Sequence, residues 1–125
     1  MKLKFTIPYA TQWGEALHVV LCYQSKDGTK RRQNQLMQTQ DGQLWTLETA
    51  VVESRQHPVC AVTYVYQVED GEGRVLRHEW AQVPRTYWFE SSKNYVFDDQ
   101  WRDVPLCAHL YSNAYLTTCH APHGS

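Results

Sequence analysis

The side chains that could do chemistry in this chain of 125 residues are its carboxylates, a few histidines and cysteines, and its tryptophans. Glu15, Glu79 and Glu90 could serve as paired acid and base, but each sits beside a turn and the sequence gives no reason for them to converge. Structural or solvated roles are the simpler expectation. Cys119, His120 and His123 include a His-x-x-His spacing that would suit a metal. They stand in a terminal segment without a second ligand pair, so a solvated tail is the expectation there. No Gly-rich phosphate loop, HExxH or GxSxG stretch occurs. We therefore expect no catalytic residue, no metal and no cofactor.

The aromatic residues remain. They form 13% of the chain, with five Trp and eight Tyr against three Phe. Tyr and Trp combine an apolar body with a polar tip, so this excess points to surface recognition as well as core filling. An indole held on a rigid β scaffold can stack on the C–H face of a sugar ring, losing little entropy because it has two χ angles. Trp13 precedes Gly14 in a turn-like stretch, where a large ring is hard to bury, and is expected at the surface. Trp88 and Trp101 fit core and surface equally well. Trp45 shares a strand face with Leu47 and Val51, so burial and ligand contact both stay open for it.

These side chains need strands to hold them, and period two dominates the chain. Leu3, Phe5, Ile7 and Tyr9 alternate with Lys2, Lys4 and Thr6. The stretch from Ala16 to Tyr23 is apolar on both faces, which predicts a central strand. Lys26 to Arg32 reads as a turn with a solvated basic run, and the Gln-rich stretch 33–40 as a weak strand at best. Asp41-Gly42 is a hairpin signal leading into the alternating Trp45, Leu47, Thr49 and Val51. In 59–68, Cys60, Val62, Tyr64, Tyr66 and Val68 share a face. Shorter strands are expected over 74–80, 87–89 and 95–97. Such spacing predicts an all-β fold, an antiparallel immunoglobulin-like β-sandwich. From 104 to 125 the spacing of Leu106, Leu110, Tyr111 and Ala114 is loosely helical, predicting an irregular or partly helical tail.

Composition narrows partners and compartment. Twelve Lys and Arg against 13 Asp and Glu leave a net charge of -1, with no electrostatic footprint for nucleic acid or an anionic membrane. Hydrophobic residues make up 42% and mean hydropathy is -0.58, so we expect a soluble domain without a membrane span. The first eight residues lack the apolar stretch of a secretory signal. Cys22, Cys60, Cys107 and Cys119 form no CxxC pair, which favours free thiols and a cytoplasmic protein over a disulfide scaffold.

The run Phe5-Thr6-Ile7-Pro8-Tyr9-Ala10-Thr11-Gln12-Trp13-Gly14-Glu15 resembles the opening of a family 20 carbohydrate-binding module, the starch-binding domain. Further similarities follow in order. They are Leu44-Trp45, Thr63-Tyr64-Val65-Tyr66, Glu79-Trp80, Pro84-Arg85-Thr86-Tyr87 and Val96-Phe97-Asp98-Asp99-Gln100-Trp101. Ile7-Pro8-Tyr9 with Thr11, Trp13 and Glu15, together with 74–79 and 110–115, is similar to the N-terminal module of amylomaltase-type 4-α-glucanotransferases. The resemblance implies a module over 1–103, a connector over 104–125, and catalytic carboxylates of a parent enzyme outside this chain.

It also implies a non-catalytic role, the binding of starch, α-1,4-glucan or maltooligosaccharide beside neighbouring domains of the parent. The implied carbohydrate-binding residues are Trp13, Glu15 and Trp45, with Trp80 as a weaker second platform. Val65 and Pro84 stand where that second site would need Lys and Asn, and no Leu-Gly-x-Trp occurs near Asp27-Gly28. The alternative expectation is an interaction or spacer domain that has lost sugar binding and orients its neighbours.

Overall fold

The computed structural model describes residues 1–53, 56, 58–80, 82–90 and 93–103. Cys107, Cys119, His120, His123 and the expected tail lie outside the described residues. The alternating N-terminal run becomes strand β1 (Lys2–Pro8), with Leu3, Phe5 and Ile7 fully buried and the lysines exposed. After a turn, β2 (Glu15–Ser25) leads through β3 (Lys30–Leu36) to the two-residue β4 (Gln38–Thr39) and then β5 (Leu44–Ala50). The long β6 (Val59–Asp70) follows, then the short β7 (Val75–His78), β8 (Arg85–Trp88) and β9 (Tyr95–Asp98).

Two sheets form an all-β sandwich. One has the order β4-β5-β1-β9; the other has the order β3-β2-β6-β7, with β8 also pairing β6. As its two-sided apolar pattern predicts, β2 is central, flanked by β3 and β6. Pairing is antiparallel except between β1 and β9, which run parallel from Leu3 opposite Tyr95 to Thr6 opposite Asp98. After β8 the chain re-enters the first sheet in the same direction as β1, and the described pairs otherwise follow the expected antiparallel sandwich.

The basic run also departs from expectation. Lys30, Arg31 and Arg32 are the start of β3 rather than a loop, paired with Gln24, Tyr23 and Cys22. Tertiary pairing overrides weak strand propensity here, and an edge strand needs only one hydrogen-bonding neighbour. Arg31 lies over the Tyr23 ring, 5.4 Å from its centroid, and donates to the Val52 carbonyl at 3.0 Å. A charge so placed guards the edge against further strand pairing.

Aromatic packing and one polar knot join the two sheets. Phe5 stacks on Phe97 at 5.0 Å and meets the Tyr64 ring edge-on at the same distance. Beside them Glu79, 1% exposed, accepts from Arg85 Nη2 at 2.9 Å, Arg85 Nε at 3.1 Å and the Tyr66 backbone N–H at 3.0 Å. Asp99 Oδ2 accepts from both the Tyr64 and Tyr66 hydroxyls at 2.8 Å, and Oδ1 from Arg85 Nη1 at 3.2 Å. Arg85 Nη2 also donates to the Gln100 carbonyl. Burial first, and then the Asp99 carboxylate, pushes both phenol pKa values above their usual 10. Glu79 is thus a structural ion-pair partner, and the knot ties the chain after β9 to β6 and β8.

Candidate functional site

At the end of the sandwich where β1 turns into β2, two turns are locked to one another. The first is closed by the Glu15 N–H donating to the Gln12 carbonyl at 3.0 Å, while the Gln12 N–H donates to Glu15 Oε1 at 2.9 Å. Gly14 takes a φ of +84°, a left-handed conformation that side-chain-bearing residues rarely adopt. The second turn joins β4 to β5. Asp41 Oδ1 accepts from the N–H groups of Gln43 and Leu44 at 2.9 and 3.0 Å, which holds its carboxyl below the usual carboxylate range. Thr11 welds the turns by donating its N–H and its hydroxyl to the Gly42 carbonyl, at 2.8 and 3.1 Å.

Between the turns lies an open cleft of about 540 Å³, lined by Thr11, Gln12, Trp13, Glu15, Asp41, Trp45 and their neighbours. Trp13 is fully exposed, at 102% of its reference area, so both indole faces are free to meet a ligand. Trp45 is 5% exposed and donates its Nε1–H to the Tyr9 carbonyl at 3.1 Å. Of the two roles left open for Trp45, burial is the one found; it forms the base of the cleft and offers no free face for stacking.

Glu15 lines the cleft with its charge already engaged. Arg77 donates to both carboxylate oxygens, at 2.8 and 3.0 Å, and its Nε donates to the Tyr9 hydroxyl at 2.9 Å. The hydrogen bonds from Arg77, and then from the Gln12 backbone, lower the Glu15 pKa below the usual 4.5. With the Gln12 N–H and two Arg77 N–H groups on the carboxylate, little acceptor capacity is left for a ligand.

Trp80 is not among the residues lining this cleft. It is half-buried, the Arg102 guanidinium sits 5.5 Å from its ring, and its backbone N–H donates to the Arg102 carbonyl at 2.6 Å. Trp88 is 62% exposed on β8, whereas Trp101 packs against Tyr9 at 4.3 Å. The structure therefore gathers Trp13, Glu15 and Trp45 at one end and leaves Trp80 elsewhere.

No family model and no curated protein matches the sequence. Two enzymes are among the solved structures that share the fold. One is the γ-CGTase from alkalophilic Bacillus clarkii, with a TM-score of 0.52 and 15% identity over 81% of this chain and 15% of that one. The other is the glycoside hydrolase family 15 glucoamylase from Hypocrea jecorina, with a TM-score of 0.55 and 16% identity over 82% of this chain and 17% of that one. At such identities the likeness establishes the sandwich fold. The chain spans less than a fifth of either protein.

Sequence reasoning missed Arg77 and the threonines of the cleft. Arg77 lies 62 positions from Glu15, and only the pairing of β2 and β7 on either side of β6 brings them together. Asp41 was legible as a turn residue but not as a cleft wall, because nothing local to it announces the neighbouring Thr11 turn.

Proposed function

We propose that this chain is a non-catalytic α-glucan-binding module over 1–103, followed by a connector, in a cytoplasmic 4-α-glucanotransferase of the amylomaltase type. The observation that carries the glucan reading is the fully exposed Trp13 indole at a polar cleft. It occurs on a sandwich whose structural neighbours are parts of starch-active enzymes, a γ-CGTase and a glucoamylase. The 4-α-glucanotransferase parent rests on the sequence resemblance alone.

In this reading Trp13 stacks on the C–H face of a glucose ring, while Thr11, Gln12 and Asp41 meet its hydroxyls. Glu15 lines the cleft with its carboxylate held in place by Arg77. A stacked aromatic contributes on the order of 1 kcal/mol beyond area burial, whereas millimolar binding needs about 4 kcal/mol. The polar wall must supply the rest, and retention on polymer gains from a neighbouring module through effective concentration.

Titration with maltoheptaose or β-cyclodextrin, followed by Trp fluorescence, tests the assignment. The wild type should give a saturable change that Trp13→Ala abolishes; an unaltered response in the variant refutes the site. The burial of Trp45 and the engagement of Glu15 favour one other reading, a spacer domain that has lost sugar binding. Insoluble starch separates the two, since a binder is retained and a spacer stays in the supernatant.

A further inference from the structure

The cleft at Trp13 does not end at the Asp41 turn. It shares Thr39 and Asp41 with a depression of about 290 Å³ that also touches Gln38, Gln40, Leu44 and Thr46. That depression in turn shares Gln38 and Thr46 with a third, of about 340 Å³, reaching Lys4 and Glu48. Strand register explains the continuity of the second and third depressions, and the turn residues Thr39 and Asp41 border both the second and the Trp13 cleft. Gln38 stands opposite Thr46, Thr6 opposite Thr46 on the other side, and Lys4 opposite Glu48, so these residues succeed one another on the outer face of the β4-β5-β1 ladder. Trp45, of the opposite phase, belongs to the core, and Leu47 packs against it from a partly buried position that also borders the third depression. The path stays open because β4 has only two residues: past Gln38 the chain leaves for the buried Met37, whose N–H donates to the Leu17 carbonyl at 2.9 Å.

The chemistry of this path differs from that of the cleft. Its walls are amides (Gln38, Gln40), hydroxyls (Thr39, Thr46), two carboxylates (Asp41, Glu48) and one lysine (Lys4), with Leu44 as the exposed apolar patch. Such a lining suits a neutral, polyhydroxylated chain, and its one-charge negative excess disfavours an anionic one. We propose that a glucan stacked on Trp13 continues along this outer face past Gln38 and Thr46 toward Lys4 and Glu48. The module then reads the length of an extended chain and does not simply hold a single ring; this rests on the α-glucan reading above. Gln38 and Gln40 of the Gln-rich stretch thereby acquire a role as hydroxyl partners.

The test is a titration series with the full chain, from maltose to maltoheptaose, for the wild type and for Gln38→Ala/Thr46→Ala. Wild-type affinity should rise with length. The double variant should lose roughly three- to tenfold for maltoheptaose, the equivalent of one or two neutral hydrogen bonds, and keep its affinity for maltose. Both replaced side chains lie on the outer face, and an unchanged melting temperature verifies that the variant folds. Affinity independent of length, or an equal loss for maltose and maltoheptaose, overturns the extended path while leaving the Trp13 site standing. An absence of binding to every member of the series and to insoluble starch overturns the α-glucan reading, and the path with it.

Discussion

Two Glu–Arg–Tyr sets of the same composition do opposite work in this molecule. Glu15 lines the rim of the Trp13 cleft and is held by Arg77, which also meets Tyr9; Glu79, Arg85 and Tyr66 stand between the sheets. Each has a bidentate Arg–carboxylate pair and a guanidinium near a Tyr ring, 5.9 Å in the first and 5.5 Å in the second. They differ in water. Arg77 is 44% exposed, whereas Arg85 is 15% exposed and also serves Asp99. In the rim set Arg77 can exchange a lost partner for solvent, although the Glu15 side chain is itself only 11% exposed, so the cation bears little energetic risk. In the buried set no such replacement is at hand, and each charge depends on its fellows.

The largest effect that would sharpen this contrast comes from Arg85→Met. It strands Glu79 and Asp99 without their cation and should cost about 3–5 kcal/mol in denaturant unfolding. A loss below that of the rim variants would break the contrast. Tyr66→Phe removes one of the two hydroxyls on Asp99 and keeps the ring packing, so about 1 kcal/mol is expected in the same assay.

At the rim, Glu15→Gln should cost less than about 1 kcal/mol at neutral pH, since its partner Arg77, 44% exposed, can turn to solvent. The sign of its pH dependence follows from a folded-state pKa lowered below the usual 4.5. The Glu15 contribution is complete above 4.5 and lost as pH falls through the lowered value. Melting curves of wild type and variant should therefore converge in acid. Divergence there would show that Glu15 acts through something other than its ionised pair with Arg77. The smallest stability effect belongs to Trp13→Ala, within about 0.5 kcal/mol, because the ring is fully exposed. The same variant should show the largest loss of glucan-induced fluorescence change. A drop in melting temperature of many degrees would mean that the ring packs on the fold in solution.

Much of the sandwich was legible in the chain. Leu3, Phe5 and Ile7 declared the buried face of β1, and Val62, Tyr64, Tyr66 and Val68 that of β6, because a side-chain period of two maps directly onto two faces. The edge strand β3 was not legible. Its residues are polar on both faces, and its existence depends on hydrogen bonds to β2 that no local pattern encodes. Trp13 was readable because a bulky ring beside a turn glycine has nowhere to go but outward. The alternatives for Trp45 could be separated only by the packing of Tyr9, β1 and β4 around it.

Sequence alone determined the strand-forming segments, the tight turns at Gly14 and Gly42, and the near-neutral charge, since each follows from local sterics or from composition. Tertiary structure decided which charges became structural and which stayed at the surface. Glu15 and Glu79 look alike in the chain, each followed within a few residues by apolar or aromatic neighbours. Their roles separated only when sheet pairing put Arg77 in water and Arg85 between the sheets, because the strength of an ion pair depends on the solvent around it and not on the residue types that make it.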